Sequence, residues 1–314
     1  MKIVLLEELG VANSIIEYHQ NKLAQMGHVL KVYSKQETQV HQENYCQDAD
    51  VIMLANMPLD AKVIETATNL KYIDVAFTGV DHIPMELAAS KNIQVSNASG
   101  YATQAVSELC ISFMIQLLRK IKETEQQCRS QGTKDGLVGS LLNGKTVGII
   151  GAGAIGKKTA ALTKAFGCKV ITYSRSKVTD PVFDQQVTLE ELLQNSDIVS
   201  LHCPLTKETE NMIGQKQLNL MKKTAILINT ARGKVVDSSA LAKALNSGDI
   251  AGAAIDVFET EPPIATTHPL LNCRNTIVTP HIAFASRESM EQRAEIVFDN
   301  LYAWLAGKPK NLVG

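Results

Sequence analysis

Thr146-Val147-Gly148-Ile149-Ile150-Gly151-Ala152-Gly153-Ala154-Ile155-Gly156 is the stretch that decides the fold. An apolar strand runs into the spacing G-x-G-x-x-G, a helix opens and continues through Phe166, and after Gly167 a second strand, Lys169–Tyr173, begins. Three glycines at these intervals would also suit a tight strand–helix turn with no ligand. Placed between a strand and a helix inside a strand–helix–strand unit, they predict a dinucleotide site. Gly151 makes the turn, Gly153 lets the backbone approach a pyrophosphate, and Gly156 lets helix and sheet pack closely. Ala154 and Ile155 begin the helix whose free N–H groups and positive end would face the diphosphate.

Outward from this unit the same alternation fills the chain. Lys2–Glu7, Val29–Tyr33, Val51–Ala55, Tyr72–Phe77 and Ile93–Ser96 read as strands before it. Ile198–His202, Ala225–Asn229, Ala253–Val257 and Thr276–Thr279 read as strands after it. Runs this short and continuously apolar, separated by helix-sized segments, predict parallel sheets covered on both faces. Between the two groups lies one long helical pattern, Thr103 to about Arg129, and a glycine-bearing stretch through Gly144. The expected organisation is a substrate domain of residues 1–99 with 286–314 and a dinucleotide-binding domain of residues 100–285. The final helical pattern, from Ser286, is expected to return to the first domain, making a hinge and a cleft where ligands commonly sit.

The chain has 314 residues, 45% apolar and 20% charged, enough for two domains of about 150 residues each. Lys plus Arg number 31 against 32 Asp plus Glu, so no basic excess draws nucleic acid. No apolar run approaches the ~20 residues of a membrane span, and Ile3–Leu6 is too short for a signal sequence. Six scattered cysteines, at 46, 110, 128, 168, 203 and 273, form no C-x-x-C pair. They suit free thiols in a reducing compartment, and a cytoplasmic protein is expected. His202 and Cys203 are neighbours on a strand and point to opposite faces, so no metal site is expected.

The strand after the glycine turn normally ends in an acid that binds the adenosine ribose of NAD. Here the residues are Ser174-Arg175-Ser176-Lys177. With no carboxylate to repel a 2′-phosphate, and with two hydroxyls and two cations to bind one, NADP is favoured over NAD. A solvated basic loop is the plain alternative.

Arg232, in Asn229-Thr230-Ala231-Arg232-Gly233, Glu261, before Pro262-Pro263, and His281, after Thr279-Pro280, each stand just past a predicted strand in the same half. Singly they read as a surface ion-pair partner, a solvated loop residue and a structural histidine. Jointly they supply what reduction of a 2-keto acid requires. The guanidinium grips a carboxylate with two prongs and polarises the adjacent carbonyl. A cationic imidazole delivers a proton to the oxygen, and a carboxylate beside it favours the imidazolium.

With Lys145–Ile150 before the fingerprint, Asn229–Gly233 and Asp237, Asp256-Val257-Phe258 with Glu261-Pro262, and Thr279-Pro280-His281-Ile282, the sequence resembles the D-isomer-specific 2-hydroxyacid dehydrogenases along nearly its whole length. The resemblance implies a Rossmann-type coenzyme domain inserted in a flavodoxin-like substrate domain, and a homodimer built through the coenzyme domains. It implies that Arg232 orients substrate, that His281 is the acid/base and that Glu261 is its partner. Thr78 and Gly79 would cradle the substrate carboxylate, with Asn56 and Met57 near the substrate side chain. Cys203, Pro204, Thr209, Thr230, Ala231, Asp256 and Ala283 would surround the cofactor, Asp256 holding the nicotinamide amide.

Ser130–Asn143 lacks the Trp that the family often carries there, and Ser174 replaces the NAD-selective acid. Members acting on 3-phosphoglycerate usually carry a further regulatory domain, for which no residues follow Gly314. The resemblance thus leans to the shorter NADP-preferring members that reduce glyoxylate and hydroxypyruvate. A D-lactate- or phosphoglycerate-type dehydrogenase and a nucleotide-sensing corepressor-like protein are the alternatives.

Overall fold

The computed structural model describes residues 1–260 and 263–314, which form two compact units: Met1–Ala102 with Ala285–Gly314, and Thr103–Phe284. The first unit is built on β1 (Lys2–Leu5), β2 (Val29–Val32), β3 (Val51–Leu54), β4 (Tyr72–Val75) and β5 (Gln94–Asn97), paired parallel in the order β2-β1-β3-β4-β5. This is the flavodoxin-like order, with its switch point between β1 and β3. Every residue of β3 and β4 is buried, as expected of a parallel strand covered on both faces.

The helix Arg287–Leu305 completes this unit, capped by the Ser286 hydroxyl on the Ser289 N–H. Trp304 stacks on Tyr72 with ring centroids 4.8 Å apart. Asn300 donates to Asp74 Oδ1 and to the Asn97 carbonyl and accepts from Asn311 at 2.8 Å. Ser96 and Leu312 form an antiparallel bridge. Burial raises the Asp74 carboxyl well above the usual carboxylate range, because desolvation penalises the charged form and Asn300 only partly opposes it.

The second unit holds β6 (Thr146–Ile150), β7 (Lys169–Tyr173), β8 (Gln185–Gln186), β9 (Ile198–Leu201), β10 (Ile226–Asn229), β11 (Gly252–Ile255) and β12 (Thr276–Val278), in the order β12-β11-β10-β9-β6-β7-β8. Counted within the unit this is the dinucleotide-binding order 3-2-1-4-5-6 with one strand added, and its switch point lies between β6 and β9. Its core joins Ile150, Val199, Leu201, Leu227, Leu241 and Ile255, all at most 2% exposed. Each such side chain contributes roughly 1.5–3 kcal/mol by leaving water. The expected pair of parallel-sheet α/β units, one of Rossmann type, is therefore present.

Two local expectations are corrected. The long helix is two, Thr103–Arg119 and Ile121–Arg129, because Lys120 adopts a left-handed conformation at φ 51°. The Ser140 N–H binds the Leu118 carbonyl at 2.9 Å and takes up one of the carbonyls the helix end leaves open. The short edge strand β8 has no apolar signal and was not expected. It is fixed by tertiary bonds, including Asp184 N–H to the Val170 carbonyl at 2.8 Å. Among the described residues no helix is long and apolar enough to cross a membrane.

Candidate active site

The glycine turn sits at the switch point of the second sheet, and each of its glycines is required for a different reason. Gly151 holds φ 102°, and a Cβ there would lie 2.6 Å from the His202 carbonyl oxygen and 2.8 Å from the Cys203 nitrogen. A Cβ on Gly156 would lie 2.1 Å from the Gly151 carbonyl, so the helix can lie against the strand only with hydrogen at this position. A Cβ on Gly153 would meet nothing within 4 Å. Gly153 is also the N-cap of the helix Ala154–Ala165 and offers no side chain to cap it. Gly153 and Ala154 are exposed and Ile155 is half-buried. The uncapped first-turn N–H groups and the open backbone suit a pyrophosphate, so the residues present fit a dinucleotide.

Past β7, Ser174 is half-buried and Arg175, Ser176 and Lys177 are exposed. The neighbouring acid in this loop, Asp180, pairs with Lys157 at 3.1 Å. Past β9, Cys203 is half-buried, and burial pushes its thiol up to about 11, so it stays protonated. Thr209 closes the following loop: its hydroxyl donates to the Pro204 carbonyl at 2.7 Å and accepts from the Thr206 N–H at 2.8 Å. His202 is lowered to about 4 by burial and its Nε2 lies 2.9 Å from Ser200 Oγ. Among the described residues no three His, Cys, Asp or Glu side chains gather as metal ligands.

The loops bearing Arg232 and His281 rise from the carboxyl ends of β10 and β12, with β11 between them. At about 4.8 Å per strand spacing their roots are roughly 10 Å apart. The Asn229 amide shapes the first loop, donating to the Arg232 carbonyl at 3.0 Å and accepting from the Ala231 N–H at 3.0 Å. Thr230 Oγ1 lies 3.2 Å from the buried Cys110 thiol. A Cβ on Gly233 would fall 1.9 Å from the carbonyl carbon of Phe258, so the Arg232 loop lies flush on the backbone after β11.

Asp256 builds the second loop. Its Oδ1 accepts from the Ile282 N–H at 2.8 Å and from the Thr279 hydroxyl, and its Oδ2 accepts from the Ala283 N–H at 2.8 Å. The His281 N–H donates to the Asp256 carbonyl at 2.8 Å. His281 is thereby held at φ 58°, in the left-handed region that non-glycine residues uncommonly adopt. Burial raises the Asp256 carboxyl, and these hydrogen bonds oppose the rise. Asp256, expected as a nicotinamide ligand, is observed as the cap of this turn, and Oδ2 retains a lone pair for a further donor.

Glu261 lies outside the described residues. Two residues before it, Glu259 pairs with His268 at 2.9 Å.

The predicted substrate residues other than Arg232 belong to the first unit. Asn56 and Met57 follow β3, where Glu7 Oε1 accepts from the Ala55 and Met57 N–H groups at 2.7 and 2.8 Å. The Thr78 carbonyl, past β4, accepts from Asn97 Nδ2 at 2.7 Å, and Gly79 beside it is half-buried. Glu7, Gly233 and Thr279 were given no site role from the sequence; Gly233 and Thr279 stand in the quoted stretches beside Arg232 and His281, whereas Glu7 carries no local signal.

Comparison with known proteins identifies the family. Residues 111–283 match the D-isomer specific 2-hydroxyacid dehydrogenase, NAD binding domain. A glyoxylate reductase of Thermococcus litoralis is 42% identical over 84% of this chain and 82% of its own. A glycerate dehydrogenase of Methylorubrum extorquens is 37% identical over 99% of this chain and 98% of its own. Among solved structures, an acyclic imino acid reductase in complex with NADPH and D-arginine superimposes with a TM-score of 0.92 at 30% identity, covering 100% of both chains. With a family model matched over more than half of its length and relatives of about 40% identity over most of it, the chain belongs to the D-isomer-specific 2-hydroxyacid dehydrogenases and is an NAD(P)-dependent oxidoreductase.

Proposed function

We propose that this chain reduces small 2-keto acids, glyoxylate and hydroxypyruvate foremost, to the D-2-hydroxy acids, with NADP as the preferred coenzyme. When bound, the reduced nicotinamide supplies the hydride. Arg232 grips the substrate carboxylate and polarises the carbonyl, while Thr78 and Gly79 offer backbone groups to the same carboxylate. His281 delivers the proton to the carbonyl oxygen, and Glu261 favours its cationic form. Asn56 and Met57 face the substrate side chain.

The observation that carries this reading is the turn Thr279–Ala283, which the buried Asp256 fixes so that His281 stands at the same sheet edge as Arg232. The curated relatives support the substrates, since oxidation of D-glycerate at C2 yields hydroxypyruvate. The Ser174–Lys177 loop supports NADP. Following NADPH absorbance with glyoxylate, hydroxypyruvate and pyruvate, and repeating with NADH, tests both parts. Turnover with none of the three acids would overturn the substrate assignment. His281→Ala should lower kcat by about 100-fold or more, the range of a lost general acid, and a wild-type rate would remove its role.

A homodimer formed through the second unit accounts for three exposed apolar side chains, Ile121, Val138 and Leu141, at 43, 77 and 67%. Light scattering of the wild type and of Val138→Asp with Leu141→Asp would show a monomer only in the double variant. Its six free cysteines suit the reducing cytoplasm.

A further inference from the structure

The residue that organises the loop after β7 is not in that loop. Gln186, on the edge strand β8, pairs in register with Thr172 of β7. Its side-chain Nε2 donates to the Ser174 carbonyl at 3.0 Å and to the Ser176 carbonyl at 2.9 Å, and its Oε1 accepts from the Val178 N–H at 2.9 Å. One amide thus takes both donors and its acceptor to the backbone of a five-residue loop.

A peptide unit is planar and trans, so a carbonyl and the N–H of the next residue point in opposite directions. With the Ser174 and Ser176 carbonyls turned toward Gln186, the Arg175 and Lys177 N–H groups are turned away from it. Among the described residues neither N–H meets a protein acceptor. Two backbone N–H groups turned to the same side of a loop can both donate to one anion, and bonds to a charged acceptor are the strong ones. The two carbonyls, which would repel a phosphate, are occupied on the far side. Of the acids nearby, Asp180 is paired with Lys157. Glu208 is held below the usual carboxylate range by the Thr206 hydroxyl first and, more weakly, by Arg175.

We propose that Gln186 is a positioning residue for coenzyme selection: it turns two peptide units of the Ser174–Val178 loop so that the Arg175 and Lys177 N–H groups, with the Ser174 and Ser176 hydroxyls, receive the 2′-phosphate of NADP. The inference rests on the NADP reading given above. It goes further in placing the selective element in backbone orientation, enforced from a neighbouring strand, as well as in side-chain charge.

The test is calorimetric binding of adenosine 2′,5′-bisphosphate and of AMP, which differ only in the 2′-phosphate, to the wild type, Gln186→Glu and Gln186→Ala. Glu has the shape of Gln and can still accept from Val178, but its carboxylate cannot donate to two carbonyls. In both variants the preference for the bisphosphate should fall about tenfold, or ~1.4 kcal/mol, with AMP affinity unchanged and the folded state intact by thermal melt. The ratio of KM values for NADPH and NADH should move in parallel while kcat stays put. Equal weakening of both ligands would mean that Gln186 only stabilises the domain, and an unchanged preference would mean that it has no part in selection; either result overturns the inference alone. A wild type that binds the two ligands equally would overturn the NADP reading and the inference with it. Ser174→Asp separates the two, since it alters the loop's charge and leaves the amide bonds in place.

Discussion

The two sheets solve the same topological problem in opposite ways. In the second, the switch point between β6 and β9 is left open: three glycines, no capping side chain at Gly153, and a helix start exposed to solvent. In the first, the switch point between β1 and β3 is closed from within. The Glu7 carboxylate, 4% exposed, accepts the N–H groups of Ala55 and Met57 that an outside anion would otherwise meet. Open α/β sheets gather ligands at this edge because the strand order parts there and leaves backbone donors unfilled. Whether the donors serve a ligand or the fold depends on whether the chain fills them itself.

The comparison breaks most sharply at Gly156. Gly156→Val drives a side chain into the Gly151 carbonyl, and should destabilise the fold by roughly 3 kcal/mol, as overpacking does. Coenzyme binding should be lost with it; retention of NADPH binding in calorimetry would show that close helix–strand packing is dispensable. On the other side, Glu7→Ala strips two buried N–H groups of their acceptor and should cost about 2–4 kcal/mol in urea unfolding. Coenzyme affinity should not change, because the carboxylate serves the first unit. A stability equal to wild type would mean that water replaces Glu7.

Gly153→Ala sharpens the contrast inside one motif. Its backbone, φ −74° and ψ −172°, is open to alanine, and the new methyl meets no protein atom. Stability should stay within about 0.5 kcal/mol of wild type, while the Kd for NADPH rises about tenfold. Unfolding of this variant, or unchanged affinity, would remove Gly153 from the pyrophosphate site.

The smallest effect concerns Asp74, which the fold prefers protonated. Its folded value lies above 3.8, so its contribution is fully present below 3.8 and is lost as pH rises through the raised value. Asp74→Asn should therefore match the wild type at pH 3.5 and be the more stable of the two at pH 8. Thermal melts at the two pH values decide it, and a variant less stable at pH 8 would show that the charge is needed.

What the sequence made legible follows the range of the forces involved. Gly151, Gly153 and Gly156 were readable because their spacing within six residues is itself the signal, although Gly151 also makes room for the backbone of His202 and Cys203. The buried strands were readable because a parallel strand must be apolar on both faces. Lys120 and β8 were not, since one depends on the Ser140 N–H reaching the Leu118 carbonyl and the other is a polar pair held by its neighbours. Glu7 reads only as the last residue of a strand, and nothing local indicates that residues 55 and 57 turn their N–H groups to it. Arg232 and His281 were found by their positions after strands. The role of Asp256 in holding His281 became visible only once β11 and β12 lay side by side.

The first unit is assembled from two distant pieces of chain, and this orders its birth on the ribosome. Residues 103–284 form a contiguous unit and can fold as they emerge. Asp74, Tyr72 and Asn97 must wait for Asn300, Trp304 and Asn311, translated some two hundred residues later. At about 5–20 residues per second, the nascent five-stranded layer stands without its last helix for tens of seconds, and it is this earlier-made half that most needs a chaperone's cover.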